Sequence, residues 1–285
     1  MKQRIITALI LIPLAIGWMF FLPFAAFSLG AVLLFLLASR EWGRFVLPRH
    51  ANWLLLPFGA ALALSLWGHP AQLLVQQPAG GLVRGILYVG GLWWLLALSM
   101  VLAYPLGTRV WRRNPWLKGL FGLLTLLPFF WSLLVLRSHE YALHPTQGGW
   151  VLFFVMLLVW CADSGAYFVG RTLGKHKMLP AVSPNKTLEG LTGGLLLATA
   201  VAAGVACQVV PTWSERGVII ACSMLAVLAS VLGDLAESLF KRQAGIKDSG
   251  TLLPGHGGIL DRIDSLTAAL PVFVVSYLLL TQWLD

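Results

Sequence analysis

The chain has 285 residues, 58% of them hydrophobic and only 11% charged, with a mean hydropathy of +0.82; that apolar share excludes an ordinary water-soluble globule and points to an integral membrane protein. The formal net charge of +9 fits nucleic-acid binding or cytoplasmic membrane loops equally well, so the location of the cations has to decide. Cys161, Cys207 and Cys222 show neither metal-ligand spacing nor a paired framework and read as small core residues.

Apolar stretches long enough to cross about 30 Å of hydrocarbon fall near residues 5–21, 23–39, 52–68, 84–104, 118–137, 148–169, 188–210, 217–237 and 263–283. The first has the basic start and apolar run of a signal peptide, but it lacks a small-residue cleavage site and flows into more apolar sequence, so it reads as a span. Only Leu22 and Pro23 part it from the second, which leaves open a helical hairpin that does not fully cross on each leg. Backbone amides cannot stay unpaired in lipid, and no stretch alternates like a barrel strand. The predicted fold is therefore an all-α polytopic membrane protein of about nine helices.

With the N-terminus in the cytoplasm, Lys2, Arg4, Arg40, Arg44, Arg49, Arg109, Arg112, Arg113, Lys118, Arg171, Lys175, Lys177, Lys186, Lys241, Arg242, Lys247 and Arg262 all fall inside. Arg84, Arg137 and Arg216 alone of the 20 cations fall outside. A bias this strong, alternating loop by loop, makes the basicity topological and removes the need for nucleic acid. The C-terminal Asp285 is then expected to face outward.

The acids divide the chain. Residues 1–140 hold only Glu41 and Glu140 and read as scaffold and lipid access; residues 141–285 hold the other acids and read as the catalytic region. In VLGDLAESLFKR, Asp234, Glu237 and Ser238 share one helix face, and in GGILDRIDSL, Asp261, Asp264 and Ser265 share another. Consecutive spans thus bring two carboxylate faces to one membrane surface. One reading is an interfacial salt-bridge belt with Lys241, Arg242 and Arg262. The other is a divalent metal site, since a few carboxylate oxygens suit Mg²⁺ that shares its shell with substrate phosphates. Asp163, in WCADSGAYFVG, is either a further ligand or a helix-packing residue.

Between the two acid faces, Gly250, Gly255, Gly257 and Gly258 allow a loop whose amides approach an anion, entering the N-terminus of the ninth helix. Lys241, Arg242, Lys247, His256 and Arg262 beside it favour phosphate. His256 suits loop structuring or substrate contact alike. A second phosphate element is SPNKTLEG, residues 183–190, where Ser183 reads as an N-cap, Pro184 as first-turn proline, and Lys186 adds charge. In the seventh span, Gly193, Gly194 and Ala198 permit close helix contact within or between chains. Carboxylates, cations and helix N-termini at the cytoplasmic face describe a polyphosphate site, with a nucleoside triphosphate and a lipid as substrates for phosphoryl or nucleotidyl transfer.

The segment SLFKRQAGIKDSGTLLPGHGGILDRID, residues 238–264, resembles the signature of the bacterial phosphatidate cytidylyltransferases, or CDP-diacylglycerol synthases. WCADSGAYFVG and SPNKTLEG look like the family's other recurrent segments; the first 140 residues match only in being apolar and helical. The resemblance implies transfer of a cytidylyl group from CTP to phosphatidate, Mg²⁺ dependence with room for a second cation, a bacterial inner-membrane location with the site facing the cytoplasm, and a homodimer. It implies that Asp234 and Asp261 hold the metal, with Glu237, Asp264 and Asp163 around them. Lys241, Arg262 and His256 would then serve catalysis, and Ser183, Lys186, Ser238, Arg242, Lys247, Gly255, Gly257 and Gly258 would bind substrate. The rivals are a CTP-dependent lipid kinase and a secondary transporter; the latter's acids belong at the bilayer midplane, with inverted repeats that are not visible here.

Overall fold

The computed structural model of the chain describes residues 2–77, 79–255 and 257–281. His256 and Asp285, each the subject of an expectation above, lie outside the described residues. The described residues form nine α-helices, a few short 3-10 turns and one hairpin. The helices are α1 (Lys2–Phe20), α2 (Phe24–Val46), α3 (Leu55–Gly68), α4 (Gly81–Leu102), α5 (Pro115–Ser138), α6 (Gln147–Leu173), α7 (Leu188–Val209), α8 (Trp213–Ala244) and α9 (Leu260–Thr281). The hairpin, β1 (Lys177–Leu179) and β2 (Ser183–Thr187), precedes α7. Eight helical segments are long and apolar enough to cross a membrane, and α1 contributes a shorter apolar run. They fall on the nine stretches read from the sequence, because a helix satisfies its own backbone amides where no water can.

Successive helices alternate in direction, which gives the bundle two chemically different ends. At one end the start of α1 reaches the loop before α9, with Thr7 Oγ1 donating to Pro254 O at 3.0 Å. At that same end Lys118 Nζ donates to Phe45 O at 3.2 Å, and Arg44 Nη1 to Ser249 O at 3.2 Å. At the other end sits Arg137, a cation expected outside, only 1% exposed. It donates to the carbonyls of Pro145 at 2.7 Å and Leu22 at 3.1 Å and lies over the Tyr141 ring. Arg137 therefore ties the α1–α2 turn to the α5–α6 turn.

The helix α5 is the most enclosed span, packed by α2, α4, α6 and α9. The closest pairs are α6 with α7 and α8 with α9. In the first, Gly193 and Gly194 meet Gly165 and Ala162 backbone to backbone, and a side chain at Gly194 would strike the Ala162 carbonyl. Lipid tails give no hydrophobic drive for helix association, so close packing of small residues carries it. These glycines thus act within the chain. Ala198 joins Leu158, Ala162 and Ala202 in a small core of the same helix pair.

Two features position the charged end. An aromatic floor joins Trp42, Phe45, Trp111 and Phe121 to Phe240 of α8, with ring centroids 4.9 Å apart for Trp42–Phe240 and 5.2 Å for Trp111–Phe240. It fixes the turn of α8 that leads into Lys241. Gly245, at φ 69°, ends α8 by bonding back: its N–H reaches Arg242 O and that of Ile246 reaches Lys241 O. This is a Schellman closure, which favours glycine because the left-handed conformation is strained for residues with a Cβ. Helix α8 therefore runs past the expected 217–237 and carries Asp234 through Arg242 on one element.

The expectation that Ser183 and Pro184 open α7 is corrected. Residues 183–187 form β2, paired with β1 at Leu179↔Ser183 and Lys177↔Thr187. The N-cap is Thr187, whose Oγ1 accepts from Gly190 N at 3.1 Å. Both Ser183 and Thr187 carry a capping hydroxyl, and strand pairing selects the later one. Glu189, in the first turn, grips the start of the hairpin by accepting from the amides of Lys175 and His176 and pairing with His176 Nδ1 at 2.6 Å.

Candidate active site

Helices α8 and α9 bring the two acid faces together as expected from their spacing. Lys241 Nζ sits between them, 2.7 Å from Glu237 Oε2 on its own helix and 2.9 Å from Asp261 Oδ1 on α9. Both carboxylates are enclosed, with side-chain exposures of 3% for Glu237 and 6% for Asp261. Asp264 lies within electrostatic reach of both Glu237 and Asp234. Asp234 in turn pairs with Lys186 of the hairpin at 2.6 Å. Asp163 of α6 lies within electrostatic reach of both Lys186 and Asp234. Five carboxylates and two ammonium groups, contributed by α6, β2, α8 and α9, thus form one continuous charged network.

The members differ in how open they are. Asp234 keeps 34% of its side chain exposed, and beyond Lys186 it accepts a 3.3 Å bond from Ser238 Oγ. Asp261 turns inward: besides Lys241 it accepts from Ser249 N at 2.9 Å and Gly258 N at 2.7 Å. Asp264 Oδ1 accepts from Ser265 N at 2.8 Å. Arg242, Lys247 and Arg262 are exposed at the same end of the bundle, as is Gly255. Gly255 and Gly257 take the positive φ values of 76° and 85° that let the loop turn back on itself.

Among the described residues no three His, Cys, Asp or Glu side chains converge as a closed metal cage. The donor chemistry nevertheless fits Mg²⁺, which is usually bound by one or two carboxylates together with waters and substrate phosphates rather than by an all-protein cage. Among the described residues Glu237 Oε1 is buried with no hydrogen-bond partner, an oxygen that an added cation would satisfy.

The residue that sequence reading passed over is Glu41. Set aside with the scaffold half, it is 3% exposed and reaches the loop before α9, accepting from Ser249 Oγ at 3.1 Å, Ile259 N at 3.0 Å and Leu260 N at 2.7 Å. The available signal was an acid inside the apolar run of α2, where an ionised group is costly unless it has a partner. The loop amides expected to cradle an anion are thus turned, at Ser249, Gly258, Ile259 and Leu260, to the protein's own carboxylates.

Known proteins match this chain over nearly its whole length. Residues 2–280 match the cytidylyltransferase family. A phosphatidate cytidylyltransferase of Haemophilus influenzae is 40% identical over 97% of this chain and 98% of its own length. One from Pseudomonas aeruginosa is 42% identical over 96% of this chain and 95% of its own. With a match that runs through scaffold and charged network alike, the chain belongs to the cytidylyltransferase family.

Proposed function

We propose that the network at the α8–α9 junction is the catalytic centre for transfer of a cytidylyl group from CTP to phosphatidate, giving CDP-diacylglycerol and pyrophosphate. The observation that carries the placement is Lys241, held between Glu237 of α8 and Asp261 of α9 at the end of the bundle where the cations collect. An oxygen of the phosphatidate phosphate attacks the α-phosphorus of CTP in line; one P–O bond forms, the bond to the bridging oxygen breaks, and pyrophosphate leaves with the electron pair. No protein nucleophile is needed. The chain's work is to position two anions and neutralise their charge, which dominates such transfers.

In this reading Asp234, the open carboxylate, and Asp261 hold Mg²⁺, with Glu237, Asp264 and Asp163 around them and room for a second cation. Bound there, Mg²⁺ supplies Lewis-acid neutralisation of the phosphate oxygens. Lys186, Lys241, Arg242, Lys247 and Arg262 face the triphosphate and the lipid phosphate, with Ser183, Ser238, Gly255, Gly257 and Gly258 lining the approach. The protein sits in the bacterial inner membrane with this end in the cytoplasm, where CTP is available; the one-ended collection of cations supports that orientation. A homodimer is the assembly implied by the family resemblance.

The test is purified protein with phosphatidate, Mg²⁺ and each nucleoside triphosphate in turn. Label on the α-phosphate of CTP should enter the lipid as pyrophosphate appears. Transfer of the γ-label with CDP as by-product would make it a lipid kinase, and solute flux without nucleotide consumption would make it a transporter. Lys186→Ala separates charge from stability. Its pair with Asp234 is partly exposed, 25% and 34% by side chain, so folding should lose no more than about 1 kcal/mol. Turnover should fall about 10²-fold or more, the cost of removing one donor from developing charge. Unchanged turnover would take Lys186 out of the phosphate site.

A further inference from the structure

Helix α9 begins without a local cap. A helix N-terminus leaves its first N–H groups unpaired, and Ser, Thr, Asp or Asn normally supplies an oxygen at the position before it. Here that position is Ile259, in the sequence GGIL, which has no side-chain oxygen. The cap comes from 218 residues away: Glu41 Oε1 accepts from Ile259 N, and Oε2 from Leu260 N. A carboxylate is favoured there by the partial positive charge of the helix end.

The same carboxylate takes the hydroxyl of Ser249, so it grips the loop at both of its ends. Gly250 and Gly258 pack directly on it, and a Cβ at either would collide with Glu41. Arg44, close to one turn further along α2, adds a bond to Ser249 O. The held points are those that orient Asp261: Ser249 N and Gly258 N donate to its two oxygens. Asp261 in turn holds Lys241. A continuous path therefore runs from α2 through the loop backbone to the lysine between the acid faces.

We infer that Glu41 is a positioning residue for the transfer reaction: from α2 it fixes the loop 249–260 and, through that loop, the placement of Asp261 and Lys241. The inference rests on the assignment of Asp261 to the catalytic centre. It gives the apolar first half of the chain a part in the chemistry beyond scaffold. A glutamine keeps the size of Glu41 but turns an NH₂ toward a donor, so one of the three bonds is lost and the loop loosens.

The experiment compares Glu41→Gln, Ser249→Ala, Asp261→Asn and the Glu41→Gln/Asp261→Asn double variant of the full chain in detergent. Steady-state kinetics, the thermal midpoint and amide hydrogen exchange are measured on each. For Glu41→Gln, kcat should fall about 10- to 100-fold, the usual cost of losing a residue that orients a site ligand. KM for CTP should stay within about threefold, since the loss is in transition-state stabilisation. Exchange should rise over residues 249–260 and not elsewhere, with Ser249→Ala shifting both readouts less in the same direction. The double variant should be no slower than Asp261→Asn, because the two act as one unit. Full activity and unchanged loop exchange in Glu41→Gln, beside an inactive Asp261→Asn, would overturn the inference; so would a fall in thermal midpoint with exchange rising throughout, which marks general stability. Full activity in Asp261→Asn would remove Asp261 from the centre and with it the link to catalysis, while loop exchange in Glu41→Gln still reports whether Glu41 holds the loop.

Discussion

Asp234→Asn is expected to reduce CTP turnover by about 10³-fold or more in a protein that inserts and melts as the parent does. Two properties of Asp234 set the size of these effects. Its carboxylate is one-third exposed, with Lys186 as its ammonium partner, so neutralising it leaves no buried charge stranded and costs folding at most about 1 kcal/mol. It is also open to a cation and a phosphate arriving from solution. Parallel measurement of label transfer and thermal midpoint decides the matter. Wild-type turnover in Asp234→Asn would dismantle the proposed centre, because Asp234 is one of the two carboxylates assigned to hold the metal there.

For Lys241→Met the expected result is the reverse in stability and similar in activity. Glu237 and Asp261 are nearly fully enclosed, and removing the shared cation leaves two carboxylates without a countercharge between them in a low-dielectric setting, Asp261 keeping its backbone donors. Breaking a buried pair this way costs about 3–5 kcal/mol. The thermal midpoint should fall, and adding Glu237→Gln should restore part of it by removing one stranded charge, without restoring turnover. Additive losses in the double variant would contradict the bridge, since residues sharing one ion network couple. Lys186 and Lys241 thus differ by burial: each is expected to matter for phosphate, but only Lys241 also holds two helices together.

The amino-acid sequence by itself determined the nine apolar helical stretches, the one-sided placement of the cations and the acid faces of α8 and α9. Each follows from short-range rules: hydropathy sums over neighbouring residues, charge bias accumulates loop by loop, and three- or four-residue spacing puts side chains on one face. The motif at residues 238–264 made the chemistry legible for the same reason, as its groups are close in the chain. Tertiary structure alone decided partners. Ser183 lost its capping role to Thr187 because β2 pairs with β1. Arg137, read as an outward charge, is a buried tie between two turns. Lys241 chose Asp261, and Glu41 found the uncapped end of α9. Local periodicity says which way a side chain points on its own helix. Which atom waits there depends on how distant helices pack, and an ionised group inside an apolar bundle is stable only where that packing brings it a partner.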